Sequence, residues 1–388
     1  MKIALLTPGG VDRSGTTRVI PCLLWLIERL IRGGDEVHVF AVRQEPRRGC
    51  WPLLGAQVHN AGGTHPISRG LRTLSQFFEE HRRAPIDVIH ALWAAPQGVL
   101  AAIAGKAGGV PVLLHLPGGD LVSLPTIAYG GRLTFKGRIG LRVAVAGADR
   151  VAAPSASMVR NAGELGIAAD RVPFGVALDH WPVAPPRRRP AGKPAKLLQV
   201  ASLSPVKDQQ TLLMAALHLH ARKIAFVLEI IGEDTLGGAT QRRSNELGLD
   251  ECVRFAGFLP QDALKQRMSS ADLLVVTSRH EAGPVVALEA ATTGVPTVGT
   301  NVGFLAEWAP EAARVVGFGD SVALANEIAE LLSNEDQRLL LASHAQEKAV
   351  AEDADATTRQ IRGIYSELVC RNRNRRYKRR AVSAIIGG

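Results

Sequence analysis

The chain has few cysteines and few aromatic residues. Only four cysteines occur among 388 residues, and none of them lies close to another in the sequence. This usage excludes a disulfide framework, argues against a zinc site and is typical of a reducing cytoplasm. Aromatic residues make up 5% of the chain, so no long stacking platform for a polysaccharide is evident.

Long hydrophobic runs are missing as well. A membrane-spanning helix needs about eighteen or more apolar residues in a row. Charged residues interrupt every candidate segment, the best of which contain Glu28, Arg29, Lys106 and Asp149. The apolar run in the N-terminal MKIALLTPGG is too short for a signal peptide. We therefore expect a cytoplasmic protein that does not span a membrane.

A complete dinucleotide-binding G-x-G-x-x-G loop is also absent. The first predicted strand, KIALLTP (2–8), leads into the glycine loop GGVDRSG (9–15), which has a different spacing. This spacing disfavours an enzyme that transfers hydride to a nicotinamide cofactor. By itself the loop is equally typical of a tight turn that binds nothing.

Basic residues are abundant and unevenly placed. The formal net charge is +10, and residues 371–380 contain seven basic side chains. Such tails usually solvate the chain, and we expect no nucleic-acid partner. Four cations recur at helical spacing among apolar residues in one further segment: Arg132, Lys136, Arg138 and Arg142 among Leu133, Phe135, Ile139 and Val143. This segment predicts either a solvated helix face or peripheral contact with the anionic inner face of a membrane.

Predicted strands and helices alternate along the chain, which indicates an α/β fold with doubly wound parallel sheets. The Pro- and Arg-rich segment PVAPPRRRPAGKPA (182–195) interrupts this alternation and predicts a linker. We expect two Rossmann-like domains facing each other across a cleft. Their predicted bounds are 1–183 for the N-terminal domain, 184–195 for the linker, 196–358 for the C-terminal domain, 359–370 for a helix returning toward the N-terminal domain, and 371–388 for a basic tail.

Two glutamates eight positions apart are the strongest local signal. Glu281 follows the predicted strand ADLLVVTS (271–278), and Glu289 lies inside a predicted helix over 285–293. Pro284 suits the first position of that helix and Gly294 suits its end. In a parallel sheet the intervening loop faces the ligand crevice, where a helix N-terminus attracts phosphate. Carboxylates beside a phosphate site favour a sugar nucleotide, although two solvated glutamates would show the same spacing.

Several further segments, taken with this glutamate pair, resemble the retaining glycosyltransferases of the GT4-like group, which have the two-domain GT-B fold. They follow one another over roughly residues 1 to 369. In the first half they are PGG (8–10), HALWA (90–94), GGDL (118–121) and VPFGVALDHW (172–181). In the second half they are VASLSPVKD (200–208), IIGED (230–234), VRFAGFL (253–259) and TNVGFLAE (300–307).

The resemblance implies roles for individual residues. Glu281 would bind sugar hydroxyls of the donor, Glu289 the ribose hydroxyls, and Lys207 would neutralise the leaving phosphate. Asp120 would lie near both donor and acceptor, although a helix cap or turn is an equal alternative for this residue. The remaining implied donor-binding positions are Gly9, Gly10, Ser202, Gly232, Phe258, Arg279, Ala282, Gly283 and Val285.

Two positions depart from the family pattern. Many relatives carry an arginine five residues before the lysine, where this chain has Ser202. Arg279, His280, Arg13 and Arg18 are candidates to supply the missing charge. Relatives often carry a histidine where this chain has Pro117; His115 either reaches the site from the same face of its strand or lies buried in the sheet.

The resemblance implies a metal-independent transfer from a nucleoside-diphosphate sugar to an acceptor hydroxyl, with retention of configuration. No metal or other cofactor is expected, because the D-x-D sequence at Asp353 and Asp355 precedes a helix whose dipole favours acidic residues. Two alternatives stay open, namely a catalytically degenerate sugar-nucleotide-binding protein and a basic scaffold on a membrane surface. The donor sugar, the base, the acceptor and the oligomeric state are not determined by these patterns.

Overall fold

The computed structural model describes residues 1–386, with side chains described as far as Asn374. The chain divides into two compact units. Unit 1 contains Met1–Pro154, Met158–Pro173 and the chain from Ala354 onward, and unit 2 contains Ser155–Ser157 and Phe174–Asp353. Most side chains of the predicted basic tail therefore lie outside the described residues.

Unit 1 is built on an eight-stranded sheet. Its strands are β1 (Lys2–Thr7), β2 (Glu36–Ala41), β3 (Gly49–Leu53), β4 (Ala56–Asn60), β5 (Val88–Leu92), β6 (Val112–His115), β7 (Arg150–Ala153) and β8 (Asp170–Arg171). The strand order is β3-β4-β2-β1-β5-β6-β7-β8, and only the pairing of β3 with β4 is antiparallel. All six residues of β1 are buried, as expected for a central strand covered on both faces.

Unit 2 is built on a six-stranded, wholly parallel sheet. Its strands are β9 (Ala195–Val200), β10 (Phe226–Ile231), β11 (Val253–Gly257), β12 (Leu273–Val276), β13 (Thr297–Thr300) and β14 (Arg314–Val316). Their order is β11-β10-β9-β12-β13-β14. Successive strands are added on one side of β9 as far as β11 and on its other side from β12 onward. The position between β9 and β12 is therefore the topological switch point, where doubly wound sheets bind ligands.

Helices connect the strands in both units. They are α1 (Pro21–Arg32), α2 (Pro66–Arg83), α3 (Val99–Gly108), α4 (Phe135–Ala146), α5 (Ala156–Glu164), α6 (Gln209–Ala221), α7 (Ala239–Glu246), α8 (Gln261–Ser270), α9 (Val285–Thr292), α10 (Leu305–Trp308), α11 (Ser321–Ser333), α12 (Glu335–Ala351) and α13 (Ala354–Ile386). In α1, which follows the glycine loop, Leu23, Leu26, Ile27 and Leu30 form a buried apolar stripe. The expectation of an α/β fold with two parallel-sheet domains is confirmed.

The unit boundaries differ from the predicted domain bounds at the linker. Ala184 donates its backbone N–H to the Thr292 carbonyl at 2.8 Å, and Arg187 Nη2 donates to the Ala271 carbonyl at 3.0 Å. These bonds hold the Pro- and Arg-rich segment against unit 2. Its proline content predicts an interruption of regular structure, and the segment does lack helix and strand as far as Pro194. It is nevertheless part of a packed unit.

The C-terminal boundary differs as well. The predicted second domain extends to residue 358, whereas the chain joins unit 1 from Ala354, because the first turns of α13 bond to that unit. Asp355 pairs with Arg29 at 3.1 Å, Thr357 Oγ1 donates to the Pro173 carbonyl at 2.8 Å, and Tyr365 hydrogen-bonds His90 at 2.7 Å. The helix predicted to end near residue 370 continues as α13 to Ile386.

Among the described residues, every helix is too short or too polar to cross a lipid bilayer.

Candidate active site

The candidate site in unit 2 lies at the carboxyl ends of β9 and β12, which are neighbours in the sheet. The loop after β9 carries Ser202 and Lys207, and the loop after β12 carries Glu281. Hydrogen bonds to backbone carbonyls join these loops. Arg279 donates its backbone N–H to the Val206 carbonyl at 2.8 Å, and Thr277 Oγ1 donates to the Lys207 carbonyl at 2.8 Å. Strand order therefore brings together residues 74 positions apart in the chain.

Lys207 and Glu281 form an ion pair in this crevice. Lys207 Nζ donates to Glu281 Oε1 at 2.5 Å, and Ser278 Oγ donates to the same oxygen at 2.6 Å. The lysine side chain is 26% exposed and the glutamate side chain 16% exposed. Both charged groups thus sit at the surface of the protein with access to solvent. A phosphate group of a ligand could therefore replace Glu281 as the partner of Lys207. A hydroxyl group of the same ligand could replace Lys207 as the partner of Glu281.

A cavity of about 200 Å³ opens beside this pair. Lys207, Glu281 and Ser278 line it together with Gly283 and Val285. Gly283 and Val285 flank Pro284, the residue that caps α9. The first-turn amides of a helix have no partner within the helix and attract anions. The cavity therefore joins a cation, a carboxylate and a helix N-terminus. Ala282, also predicted here, is buried and does not line the cavity.

Glu289 occupies a different environment from Glu281. It is the fifth residue of α9, it is 7% exposed and it does not line the same cavity. Burial raises the pKa of the Glu289 carboxyl to about 8, against the opposing attraction of Lys265 on α8. At neutral pH most of this carboxyl is protonated. The two glutamates of the motif therefore occupy different environments, one at the cavity and one buried in the helix.

The loops after β10 and β11 approach the loop after β9. Gly232 donates its backbone N–H to the Gly257 carbonyl at 2.9 Å. A Cβ atom on Gly232 would come within 2.0 Å of the Ala201 carbonyl oxygen, so the close approach requires glycine there. Phe258 follows this turn with 60% of its surface exposed. The predicted nucleotide-binding loops thus adjoin the loop that carries Lys207.

The candidates to replace the missing arginine at Ser202 are engaged elsewhere. Arg279 Nε pairs with Asp208 Oδ2 at 3.2 Å, and Asp208 Oδ1 caps α6 by accepting the backbone N–H of Thr211 at 3.4 Å. In unit 1, Arg13 pairs with Glu45, and Arg18 pairs with Asp12. His280 is half-buried beside Arg279. Lys207 is paired too, but its partner is the predicted sugar-binding carboxylate.

In unit 1, Gly9 and Gly10 follow the carboxyl end of β1. Gly10 has a positive φ of 80°, and a Cβ atom there would lie 2.4 Å from Ile20 Cγ1. The backbone at Gly10 also bridges to the start of α1, because Ile20 donates its N–H to the Gly10 carbonyl at 3.0 Å. These contacts alone require glycine at position 10, with or without a ligand.

Asp120 lies in a 3₁₀ turn after β6 and is 8% exposed. Its Oδ1 accepts the backbone N–H of Ala94 at 2.8 Å, whereas its buried Oδ2 has no hydrogen-bond partner among the described residues. Burial raises the pKa of this carboxyl to about 6, more than the backbone hydrogen bonds lower it. A buried carboxylate oxygen without a partner is costly, and the role of Asp120 beside donor and acceptor stays a prediction.

His115 is a core residue of β6. It is fully buried, its Nε2 bonds to the Val172 carbonyl at 3.0 Å, and burial lowers the pKa of its imidazole to about 3. Of the two alternatives for this histidine, the structure shows the buried one. It therefore does not substitute for the histidine that relatives carry at the position of Pro117.

Two residues of the site carried no sequence prediction. Ser278 binds Glu281, and Asp208 binds Arg279 while capping α6. An Asp directly before a helix is a capping signal that could have identified Asp208. Ser278 had no such signal, because its role depends on the rotamer of a side chain three residues away.

Comparison with known proteins gives two adjoining family matches. Residues 19–175 match the family model described as "Glycosyl transferase 4-like domain", and residues 184–348 match "Glycosyl transferases group 1". The resemblance drawn from the motifs is thereby confirmed.

Curated relatives and solved structures agree with these matches. The chain is 28% identical over 320 residues to D-inositol 3-phosphate glycosyltransferase 2 of Catenulispora acidiphila, covering 77% of this chain and 74% of that protein. It is 33% identical over 127 residues to D-inositol 3-phosphate glycosyltransferase of Corynebacterium urealyticum, covering 32% of this chain and 30% of the relative's length. The chain thus spans less than a third of that relative.

Solved structures share the fold at low identity. Sucrose-phosphate synthase from Thermosynechococcus elongatus has 19% identity and a TM-score of 0.77, with 95% of this chain and 99% of that chain covered. Anabaena HepE in complex with UDP and glucose has 20% identity and a TM-score of 0.72, with 95% and 100% covered.

Proposed function

Because this chain belongs to the GT4-like group 1 glycosyltransferases, we propose that it transfers a sugar from a nucleoside-diphosphate sugar to an acceptor hydroxyl. The observation that carries this proposal is the Lys207–Glu281 pair beside the N-terminus of α9. A cation and helix amides recognise a diphosphate, and a carboxylate recognises sugar hydroxyls. A donor that contains both groups satisfies both residues at once.

In the proposed reaction, the acceptor oxygen bonds to the anomeric carbon, and its proton passes to an oxygen of the departing diphosphate. The bond from that carbon to the diphosphate oxygen breaks, and its electron pair leaves with the nucleoside diphosphate. Negative charge therefore develops on the phosphate next to Lys207. A fixed cation beside this phosphate stabilises the charge, and Glu281 orients the sugar. Retention of the anomeric configuration stays a prediction, which NMR of the product's anomeric proton tests.

We further propose that the transfer needs no metal ion. Lys207 supplies the positive charge that a metal ion would otherwise bring to the leaving diphosphate. In the D-x-D sequence, Asp355 forms an ion pair with Arg29 at 3.1 Å. One of the two carboxylates is therefore engaged in a structural contact. Donor turnover in the presence of excess EDTA tests this proposal, and abolished turnover that Mg²⁺ restores would overturn it.

The names of the relatives suggest which substrates to test first. HepE was solved with UDP and glucose, and several relatives are D-inositol 3-phosphate glycosyltransferases. We propose UDP-sugars as the first donors and phosphorylated polyols as the first acceptors. Isothermal titration with UDP, GDP and ADP tests donor binding, and turnover with each donor and acceptor tests transfer. Absence of binding by every nucleoside diphosphate would refute the proposed function.

A catalytically degenerate sugar-nucleotide binder is the second candidate, favoured by Ser202 and by the pairing of Arg279 with Asp208. Two measurements on the wild type distinguish it from an enzyme. A transferase converts a bound donor to nucleoside diphosphate when its acceptor is present, whereas a binder gives a titration curve and no product with any acceptor.

We also propose peripheral contact with an anionic membrane through α4. Its residues Phe135, Ile139 and Val143 are spaced by four and are 68%, 43% and 42% exposed. Lys136, Arg138 and Arg142 lie among them, so the helix combines apolar and cationic groups as interfacial helices do. Sedimentation with anionic and neutral liposomes tests this contact. Equal recovery of wild type and the F135S/I139S variant with anionic liposomes would contradict it.

A further inference from the structure

Two histidines and a glutamate form a cluster in unit 1. His38 lies on β2, His59 on β4 and Glu80 near the end of α2. His38 Nδ1 is 3.0 Å from His59 Nε2 and 3.9 Å from Glu80 Oε2, and one ligand atom from each residue lies within 4.8 Å of the others. Adjacent nitrogen ligands of a tetrahedral zinc ion are about 3.3 Å apart, given bonds of about 2.0–2.1 Å. The cluster already approximates this spacing.

The second nitrogen of His38 has a partner that suits metal binding. His38 Nε2 is 2.9 Å from Glu36 Oε1, and a carboxylate can only accept a proton from it. Neutral His38 therefore carries its proton on Nε2, and its Nδ1 accepts a hydrogen bond from His59 Nε2. A metal ion would replace this hydrogen bond, with the proton of His59 moved to Nδ1, which lies 3.5 Å from Cys50 Sγ. Histidines that bind metal ions commonly use a carboxylate in this way to fix their tautomer.

The three side chains are held in place by packing. His38, His59 and Glu80 are 7%, 6% and 8% exposed. The His59 ring stacks on Phe40, its strand partner, with ring centroids 4.8 Å apart. Arg83 Nη1 donates to Glu80 Oε1 at 2.6 Å, which leaves Oε2 directed toward the histidines. Rigid donors favour metal binding because little order has to be imposed when the ion arrives.

The cluster faces an open cavity of about 720 Å³, which Glu36, Cys50 and Gln57 also line. This space leaves room for a water molecule or another fourth ligand. Lys2 Nζ stands 3.1 Å from Glu36 Oε1 and 3.9 Å from Glu80 Oε2. Its positive charge compensates the negative charges of the two carboxylates. When a metal ion binds Glu80, Lys2 can keep Glu36, its closer partner.

We propose that His38, His59 and Glu80 bind one divalent transition-metal ion such as Zn²⁺, with one coordination position open to the cavity. Imidazole and carboxylate ligands suit zinc and its neighbours better than Mg²⁺ or Ca²⁺. His38 is the third residue of β2, so the site lies away from the carboxyl ends of the strands that carry Gly9 and Asp120. The ion would join β2, β4 and α2 and would take no part in sugar transfer.

This proposal departs from the expectation that no metal binds. The proposed ligands, at positions 38, 59 and 80, lie far apart in the sequence and form no local metal-binding motif. Pairing of β2 with β4 and the packing of α2 over them bring these residues together.

Untagged full-length protein, treated with EDTA and dialysed, provides the test. Titration with Zn²⁺ against a fluorescent chelator should show one saturable site, and Co²⁺ should give the visible absorption bands of a tetrahedral nitrogen and oxygen site. H59A and E80Q should each abolish this site. E36Q, which removes only the carboxylate behind His38, should weaken Zn²⁺ binding about 10–100-fold.

The exposed His220 of unit 2 supplies the control, and H220A should bind Zn²⁺ as the wild type does. Circular dichroism identifies any variant that fails to fold, and E36Q and E80Q preserve side-chain volume to limit that outcome. The proposal is overturned when the wild type shows no saturable Zn²⁺ site, or when folded E80Q and E36Q bind Zn²⁺ with wild-type affinity. UDP titration of the EDTA-treated protein tests donor binding separately, so either proposal can fail alone.

Discussion

Lys207 and Glu281 neutralise each other across the switch point of the second sheet, with Nζ and Oε1 2.5 Å apart. The two residues come from loops that follow adjacent parallel strands. When the donor binds, Lys207 would exchange Glu281 for the diphosphate, and Glu281 would exchange Lys207 for a sugar hydroxyl. The ion pair thus keeps both groups in place before the donor binds.

Replacing Lys207 should remove the cation that stabilises the departing diphosphate. We expect Lys207→Ala to lower kcat/KM for donor turnover by about 10²–10³-fold, the usual effect of losing one charge-stabilising group. The measurement is the initial rate of nucleoside-diphosphate release. Lys348→Ala, on the surface of the same unit, should retain the wild-type rate, and an equal loss in both variants would contradict the assignment.

Glu281→Gln separates binding from transfer. The substitution removes the negative partner of Lys207, so a nucleoside diphosphate should bind at least as tightly as it does to the wild type. The amide orients sugar hydroxyls less well than a carboxylate, and donor turnover should fall at least tenfold. Calorimetry and rate measurements on one preparation check both parts, with Glu311→Gln as the control. Much weaker binding of the free diphosphate would show that Glu281 has another role.

Protonation of Asp120 should lower the rate of the reaction at acidic pH. Its carboxyl has a pKa of about 6 because it is buried, so its ionised form predominates only above that pH. We expect kcat/KM of the wild type to fall as pH decreases through about 6. Asp120→Asn can still accept the Ala94 N–H but cannot ionise, so its lower rate should not change across this range. An unaltered pH profile in the variant would exclude Asp120 as the titrating group.

Glu289 should make stability depend on pH. Its pKa is raised from 4.5 to about 8 in the folded protein because burial penalises the charged form. The folded state therefore holds a proton that the unfolded state has lost between these values, and stability falls as pH rises through this window. The fall is up to about 1.4 kcal/mol per pH unit. Glu289→Gln should lose this contribution, so its stability should fall less than that of the wild type as pH rises from about 5.5 to 7.5.

Urea unfolding at several pH values measures this slope. The exposed Glu347 provides the matched control, because Glu347→Gln should keep the slope of the wild type. Parallel stability curves for the wild type and Glu289→Gln would mean that Glu289 is charged in the folded protein at neutral pH.

Tyr365 should anchor α13 to the first sheet. Its hydroxyl lies 2.7 Å from Nδ1 of the fully buried His90. Tyr365→Phe leaves that nitrogen without its partner, which should cost about 1–3 kcal/mol of unfolding free energy. Ser366→Ala, at the next and exposed position of α13, should change stability by less than about 0.5 kcal/mol. Urea unfolding of the two variants side by side makes the comparison.

Much of the fold could be predicted from local patterns. The strand and the helix predicted around the glutamates appear as β12 and α9, with bounds that differ from the predicted ones by a few residues. The strand predicted at residues 2–8 appears as β1, because an unbroken apolar run is typical of a strand covered on both faces. The boundaries of the units were harder, since contacts of Ala184 and Thr357 with distant segments decide them.

The sequence by itself determined that this protein is built from parallel βα units and that it resembles glycosyltransferases, because both follow from residues near one another in the chain. Only the tertiary structure decided which charges meet. It paired Lys207 with Glu281, engaged Arg279 with Asp208, and brought His38 and His59 beside Glu80. It also buried Glu289 and Asp120 enough to raise the pKa of each carboxyl. Desolvation and pairing depend on distances across the fold, and these follow from strand order and packing.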